Sequence, residues 1–221
     1  IYKEIVSVEN CKDAIIDAIN EQGEMTFLAK GILDPKNKNS ALNNLLVVAD
    51  IEINEGNYKY PVLKSASIIE NPMKVTNDYY YLCSLMLMAE VTKTLVQEDE
   101  KERIFNSLMS AVICMKTAES PWAILISYFA KIFKETGYEF EVKHCVFCGS
   151  KQGIVTFSFN DGGFICQNCL EPDMERDLTK EQMLIIRSSF LVSDMAKATF
   201  EASKENALVI LDKFFEFIDV I

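Results

Sequence analysis

The sequence predicts an α+β chain of several domains: a small β-barrel at the N-terminus, then a helical domain into which a four-cysteine ribbon is inserted. Three observations predict it. Apolar residues alternate with period two over roughly the first 70 residues, a helical period takes over from Thr76, and four of the seven cysteines fall into two close pairs. The expected boundaries are 1–75 for the β-domain, 76–143 together with 171–221 for the helices, and 144–170 for the ribbon.

In the β-domain, Met25, Phe27 and Ala29 alternate with Glu24, Thr26 and Leu28, and Ala49, Ile51 and Ile53 alternate with Asp50 and Glu52. That is the period of a half-buried sheet. Turn residues separate the runs at Glu21-Gln22-Gly23, between Asp34-Pro35 and Ser40, and at Asn54-Glu55-Gly56-Asn57. Five runs result, near 3–9, 13–19, 24–31, 44–53 and 58–69. Five short strands fit a small barrel, and pattern alone leaves other small β-domains open.

Beyond Thr76, Leu82, Leu85, Met86 and Ala89 follow the i, i+3, i+4, i+7 rule, and Ile104, Leu108 and Val112 repeat it. Ser120-Pro121 supplies an N-cap and a proline at the first helical position, and Gly137 a stop, so a helix is expected over 121–136. Thr179 and Gln182 have capping-box spacing before Met183, Ile186 and Phe190. A last helix is marked by Ala207, Leu208, Leu211, Phe214, Phe215 and Ile218. Stripes this wide belong to a packed helical core.

Cys145-Val-Phe-Cys148-Gly149 and Cys166-Gln-Asn-Cys169 are two C-x-x-C knuckles separated by 17 residues. Four thiolates surround a tetrahedral ion when two tight turns present them in pairs, and Gly149 is the small residue such a turn needs. Ile154 to Phe159 reads as a strand, Asn160-Asp161-Gly162-Gly163 as a turn and Phe164-Ile165 as the return. The reading is a zinc ribbon with one structural zinc per chain, held by Cys145, Cys148, Cys166 and Cys169. A redox C-x-x-C is the rival, but it requires a pair opening a helix in a βαβ context, which this pattern lacks. His144, beside Cys145, is the sole histidine and is read as a partly exposed side chain. Cys83 and Cys114 sit in apolar helical patterns and are read as small hydrophobes.

Composition narrows the function. An odd number of cysteines, four of them paired for a metal, suits a reducing compartment, so a cytoplasmic location is expected. No apolar run approaches the roughly 20 residues that span a bilayer; the longest, Trp122 to Ala130, ends at Lys131. The residues given, which begin at Ile1, contain no signal-like segment, and no membrane partner is expected. With one histidine there is no Ser-His-Asp triad or Cys-His dyad, and neither G-x-x-x-x-G-K-[ST] nor G-x-G-x-x-G occurs. Glu98-Asp99-Glu100 and Asp173-Met-Glu175 lie in charged segments and are read as solvated. The expectation is therefore a protein that is not an enzyme.

The net charge of -11 argues against coating nucleic acid through bulk positive charge. Any nucleic-acid contact must be local. Residues 1–75 carry 8 Lys against 11 acids, net -3, and residues 76–221 carry 14 basic against 22 acidic residues, net -8. The N-terminal third is the less hostile place for a phosphate.

The order of small barrel, helices, ribbon and more helices resembles the RecO family of bacterial recombination mediators, over nearly the whole chain. The segments that carry the resemblance are Ala29-Lys30-Gly31 followed by Pro35-Lys36-Asn37-Lys38, and Phe133-Lys134-Glu135-Thr136-Gly137-Tyr138 leading into His144-Cys145-Val146-Phe147-Cys148-Gly149. The second is the more specific, since in that family a helix ends at a Leu-Gly-Tyr-like corner shortly before the first knuckle, the place that Gly137-Tyr138 holds here.

The resemblance implies an N-terminal OB-fold and work in DNA repair, DNA damage response and DNA recombination through the RecF pathway. Such a protein binds single-stranded DNA and anneals strands. It contacts RecR and the C-terminal tail of single-strand-binding protein, helps RecA indirectly, and works in the bacterial cytoplasm on the nucleoid during repair. An OB-fold grips single strands with a basic groove and stacking aromatics. The candidates here are Lys30, Lys36, Lys38, Lys59 and Lys64 with Tyr58 and Tyr60. Leu33 and Asp34 stand where the family's loop is usually basic. The alternative reading is a zinc-ribbon adaptor that contacts proteins alone, and a third is an enzyme built on carboxylates, for which no suitably spaced acidic cluster is visible.

Overall fold

Ile16 and Ala18 of β2 (Ala14–Asn20) and Phe27 and Ala29 of β3 (Gly23–Ala29) turn to one side of a sheet and are buried, while the residues between them stay half-exposed. The computed structural model describes residues 2–4, 12–56, 59–72, 78–95, 100–118, 120–174 and 176–221. Among these, β1 (Tyr2–Glu4), β4 (Val48–Asn54) and β5 (Val62–Glu70) complete a five-stranded sheet of order β1-β2-β3-β5-β4. Every pairing is antiparallel except β3 with β5, which runs parallel with Leu28 opposite Val62. The Leu28 amide donates to the Pro61 carbonyl at 2.8 Å just ahead of that register.

Ile16, Phe27, Ile32 and Leu42 form the core of this domain, each at most 1% exposed. Met25, Ile51, Ile53 and Leu63 pack around them. Register shifts lie between Val48 and Ala49 and between Glu52 and Ile53. Such bulges increase the local twist. β2 and β4 are not neighbours in the sheet, yet both line one cavity of about 400 Å³ together with Phe105, Leu108, Met109 and Val112. The sheet therefore curls.

α1 (Tyr79–Leu95) and α2 (Lys101–Met115) follow, and α2 packs on β2 and β3. Two compact units emerge, Ile1–Thr117 and Ala118–Ile221. The stretch 76–143, which the periodicity groups with 171–221, is thus divided between them, with α1 and α2 in the unit of the sheet and the residues from Ala118 in the second unit. Packing decides this: Phe105, Leu108, Met109 and Val112 present the apolar face of α2 to the sheet.

The second unit is built round α3 (Pro121–Glu135), in which every residue from Ala123 to Ala130 is buried. A helix apolar on all sides must be enclosed. α4 (Lys180–Leu191) and α5 (Lys204–Ile218) pack against it, and the hairpin of β6 (Ile154–Ser158) and β7 (Gly163–Cys166) packs on α4. The capping box forms as expected, whereas Ser120 precedes α3 without a side-chain cap bond, its hydroxyl donating instead to the Ala202 carbonyl at 3.1 Å. Pro121 opens α3 behind Ser120, and Thr179 and Gln182 exchange the two bonds of a capping box, at 3.2 and 2.8 Å. The Gln182 side-chain Nε2 also donates to the Asn206 Oδ1 at 3.1 Å, joining α4 to the first turn of α5.

Strand limits move by a few residues. The run expected over 44–53 begins at Val48, because Ser40–Asn43 form a 3-10 turn and Leu46 adopts a left-handed φ of 54°. The run expected over 58–69 begins after Pro61. Of the first run, 3–9, only Lys3 and Glu4 fall within the described residues, and the expected helical start at Thr76 lies outside them.

Candidate metal centre and lysine segment

The helix that precedes the ribbon ends on a specific corner. Gly137 takes a left-handed φ of 93° and the Tyr138 amide reaches back to the Phe133 carbonyl at 2.7 Å. This is how a glycine just past a helix end satisfies the last carbonyls. The chain then turns inward: Tyr138 packs edge-on against Phe217 at 5.3 Å and Phe140 against Phe133 at 6.1 Å. Glu141 comes to lie beside Gly163 of β7, exchanging bonds with Gly162 at 2.8 Å and Phe164 at 2.9 Å. The first knuckle is thereby held against the hairpin that carries the second.

Each knuckle is a tight turn. The Gly149 amide donates to the Cys145 carbonyl at 2.9 Å with Gly149 at φ 72°, and the Cys169 amide donates to the Cys166 carbonyl at 3.0 Å. The Val146 amide bonds the Phe164 carbonyl at 2.9 Å, tying the two together. As a result, Cys145, Cys148, Cys166 and Cys169 place their sulfurs within 4.8 Å of one another. Cys148 and Cys166 are 3.6 Å apart, and all four are free thiols. A tetrahedron with Zn–S bonds of about 2.3 Å has edges of about 3.8 Å, whereas a disulfide requires about 2.05 Å. The spacing fits a metal.

The electrostatics of the cluster agree. Burial opposes ionisation of Cys145, but the backbone N–H groups of Cys166, Cys148 and Phe147 overcome it and lower its thiol to about 6. Cys169 moves the other way, to about 12, first through its hydrogen bond to Cys148, then through burial and its bonds to Cys166 and Cys145. Thiols packed so closely share protons, and a soft cation at the centre is what lets all of them ionise. Four sulfurs are compatible with zinc and would close its coordination shell. His144 lies aside from this group, its Nδ1 3.3 Å from the Glu141 carboxylate.

The hairpin is part of the core of its unit. Phe157 and Phe159 lie 4.9 Å apart, Phe159 stacks on Phe217 at 5.1 Å, and Phe140 contacts Phe157 and Phe159 at 5.8 and 5.1 Å. Phe190 of α4 and Phe214 of α5 complete the cluster. Aromatic pairs in edge-to-face geometry add about 0.5–1.5 kcal/mol each beyond their buried area. The hairpin that carries the second cysteine pair and the helical core share one hydrophobic cluster.

In the first unit, Lys30, Lys36 and Lys38 are exposed on the segment between β3 and the 3-10 turn. The segment is shaped by side-chain-to-backbone bonds. Asn37 donates to the Gly31 carbonyl at 3.0 Å, and Asp34 accepts from the Lys36 amide at 3.0 Å. Asp34 also pairs with Lys12 at 2.5 Å, and that bond, with the Lys36 amide, holds its carboxyl below the usual range. Lys64 on β5 pairs with Glu52 on β4. Lys59 lies 5.1 Å above the Tyr60 ring. Tyr58 lies outside the described residues. β3 and β5 bring Lys30 and Lys64 to the same end of the parallel pair, each two residues beyond the Leu28–Val62 register.

The family model for the C-terminal part of recombination protein O matches residues 76–218. The chain belongs to the RecO family. Among curated RecO proteins, the one of Oceanobacillus iheyensis is 22% identical over 202 residues, covering 90% of this chain and 78% of the relative. The RecO of Halalkalibacterium halodurans is 27% identical over 155 residues, covering 69% and 60%, and that of Acetivibrio thermocellus 28% over 177 residues, covering 78% and 69%. Each carries the name DNA repair protein RecO. The RecO match spans the helical corner, both knuckles and the hairpin.

Three parts of these sites carry no signal in the sequence. The close approach of Gly163 to Glu141 joins residues whose pairing depends on how the corner folds. The pairing of Lys64 with Glu52 depends on the β4–β5 register. The merging of ribbon and helical phenylalanines into one cluster leaves only a high local Phe content. No described helix is long and apolar enough to cross a membrane.

Proposed function

We propose that this chain is a mediator of DNA repair and homologous recombination that binds and anneals single-stranded DNA through its N-terminal unit. The observation that carries this reading is the match to recombination protein O over residues 76–218. The N-terminal unit is read as an OB-fold, a partly open five-stranded barrel. Its sheet order, the single parallel pairing of β3 with β5 and the curl that brings β2 and β4 to one cavity support that reading.

Single strands are held by Lys30, Lys36, Lys38, Lys59 and Lys64 with Tyr60 as a stacking residue, and Tyr58, outside the described residues, is the second stacking candidate. Cys145, Cys148, Cys166 and Cys169 hold one zinc, which has no open position for water or substrate and therefore stabilises the hairpin. RecR and the tail of single-strand-binding protein are the partners, and RecA benefits indirectly. The protein performs no bond-making step and works in the bacterial cytoplasm, at the nucleoid during repair.

A second reading, a protein-only adaptor, is favoured by the ion pairs that occupy Lys64 and Lys12 and by the net charge of -11. Retention of purified RecR and of single-strand-binding protein, with and without its acidic tail, on the immobilised chain tests the mediator role. Binding of both, with loss of the second when the tail is removed, is the expected result. Binding of neither contradicts it. Salt-dependent oligonucleotide binding separates the mediator from the adaptor.

A further inference from the structure

The second unit contains a cleft of about 440 Å³ between the β6–β7 hairpin and α5. One wall is aromatic. Phe159 and Phe217 stack with centroids 5.1 Å apart and an interplanar angle of 24°, and Phe157 stands edge-on to Phe159 at 4.9 Å. The lining also carries four acids, Asp161, Asp173, Asp177 and Glu216.

Among the described residues Lys213 is the one cation lining the cleft, and it is already engaged, with its ammonium 2.6 Å from Asp177 and 3.0 Å from Glu216. Asp177 above all, and Glu216 after it, hold the Lys213 ammonium well above the usual lysine range, so it stays charged. Even so, four carboxylates face one ammonium, a local charge of -3 beside an apolar wall. An anionic ligand is repelled from such a place. A guanidinium is suited to it, because its plane lies on an aromatic face while its fork of N–H groups reaches carboxylates. A compact metal ion makes no use of the aromatic wall.

We propose that this cleft is a docking site for an arginine-bearing segment of a protein partner. Its acidity sets it apart from the lysine segment of the first unit, so the same chain offers phosphate and protein partners surfaces of opposite sign. The arginine stacks beside Phe217 and Phe159 and donates hydrogen bonds to the carboxylates of Asp173 and Glu216, whose place in the lining steers the approach of a basic segment.

The test uses the full chain and a fluorescently labelled hexa-arginine peptide, with binding followed by anisotropy at low and physiological salt. Asp173→Lys with Glu216→Lys should weaken binding roughly tenfold or more, through loss of two charge pairs at the cleft. Glu181→Lys with Glu201→Lys changes net charge by the same amount at exposed positions outside the cleft and should leave affinity within about twofold of the parent. Hexa-lysine should bind several-fold more weakly, because its ammonium groups lack the planar fork. Absence of binding, equal losses in the two double variants, or equal affinity for hexa-lysine each overturns the proposal. Circular dichroism of each variant verifies that the helical fold is retained.

Discussion

A Cβ atom at Gly163 would fall 2.3 Å from the Glu141 carbonyl oxygen and 2.8 Å from the Glu141 amide nitrogen, so only glycine allows the corner after α3 to lie against β7. Gly163 also holds a φ of 150°, a value side chains rarely adopt. Gly163→Ala is expected to destabilise the second unit by about 3 kcal/mol, combining an overpacked contact with backbone strain. Gly162→Ala, where a Cβ meets nothing within 4 Å, carries the strain of its φ of +83° alone and should cost about 1 kcal/mol. Denaturant midpoints of the two variants check the difference.

The zinc reading predicts about one zinc per chain, and replacement of Cys145, Cys148, Cys166 or Cys169 by Ser should release it. Because Phe157 and Phe159 belong to the same cluster as Phe133 and Phe214, loss of metal should also lower the melting temperature of the second unit. Each ligand gives up its proton when metal binds, so acidification competes with zinc. Retention should therefore fall as pH drops. Metal analysis of protein dialysed across a pH series checks both points. A protein free of zinc, purified without chelator and stably folded, contradicts them.

Much of this arrangement can be read from the sequence, and its limits have physical causes. The C-x-x-C spacing, Pro121, Gly137 and the Thr179–Gln182 box are local signals, and each forms the expected turn, helix start, helix stop or cap because such features are decided within about four residues; Ser120 makes no side-chain cap bond. The run expected from 44 fails at its start because Leu45, Leu46 and Val47 are as apolar as a strand, while the burial of Leu46 and Val47 follows a turn with Leu46 in a left-handed conformation. The placing of α2 beside the sheet was not legible either, since an apolar helix face does not name its partner. Lys64 looks like a free cation in sequence, and only the β4–β5 register reveals Glu52 next to it.

The Lys213–Asp177 pair gives a pH-dependent contribution to stability. The folded ammonium is held above its unfolded value of about 10.5, so the pair stabilises below that value and the contribution is lost as pH rises through the higher folded value. Side-chain exposures of 23% and 36% leave the pair partly screened, and about 0.5–1 kcal/mol is expected at neutral pH. Lys213→Met should therefore be less stable than the parent at pH 7, with the gap narrowing in strongly alkaline solution. Chemical denaturation at both ends of the range measures it.

Asp34 bears on the lysine segment in two ways: it adds a negative charge beside Lys36 and it engages Lys12. Asp34→Lys should strengthen single-strand binding by adding one cation and releasing another. Each phosphate contact added steepens the dependence of log affinity on log salt by about 0.7 for a single strand, so a change of about 1.4 is expected if both lysines engage. An unchanged slope shows that neither reaches the strand.

The most direct test of the account is a titration of a fluorescent single-stranded oligonucleotide across a salt series, comparing the parent chain with Lys36→Glu, Lys38→Glu. The parent should bind weakly, with affinity falling steeply as salt rises. The double variant should lose binding and strand annealing while keeping its zinc and its helical circular dichroism. Affinity and salt slope that are the same in both proteins would contradict the claim that this segment of the N-terminal unit holds the strand.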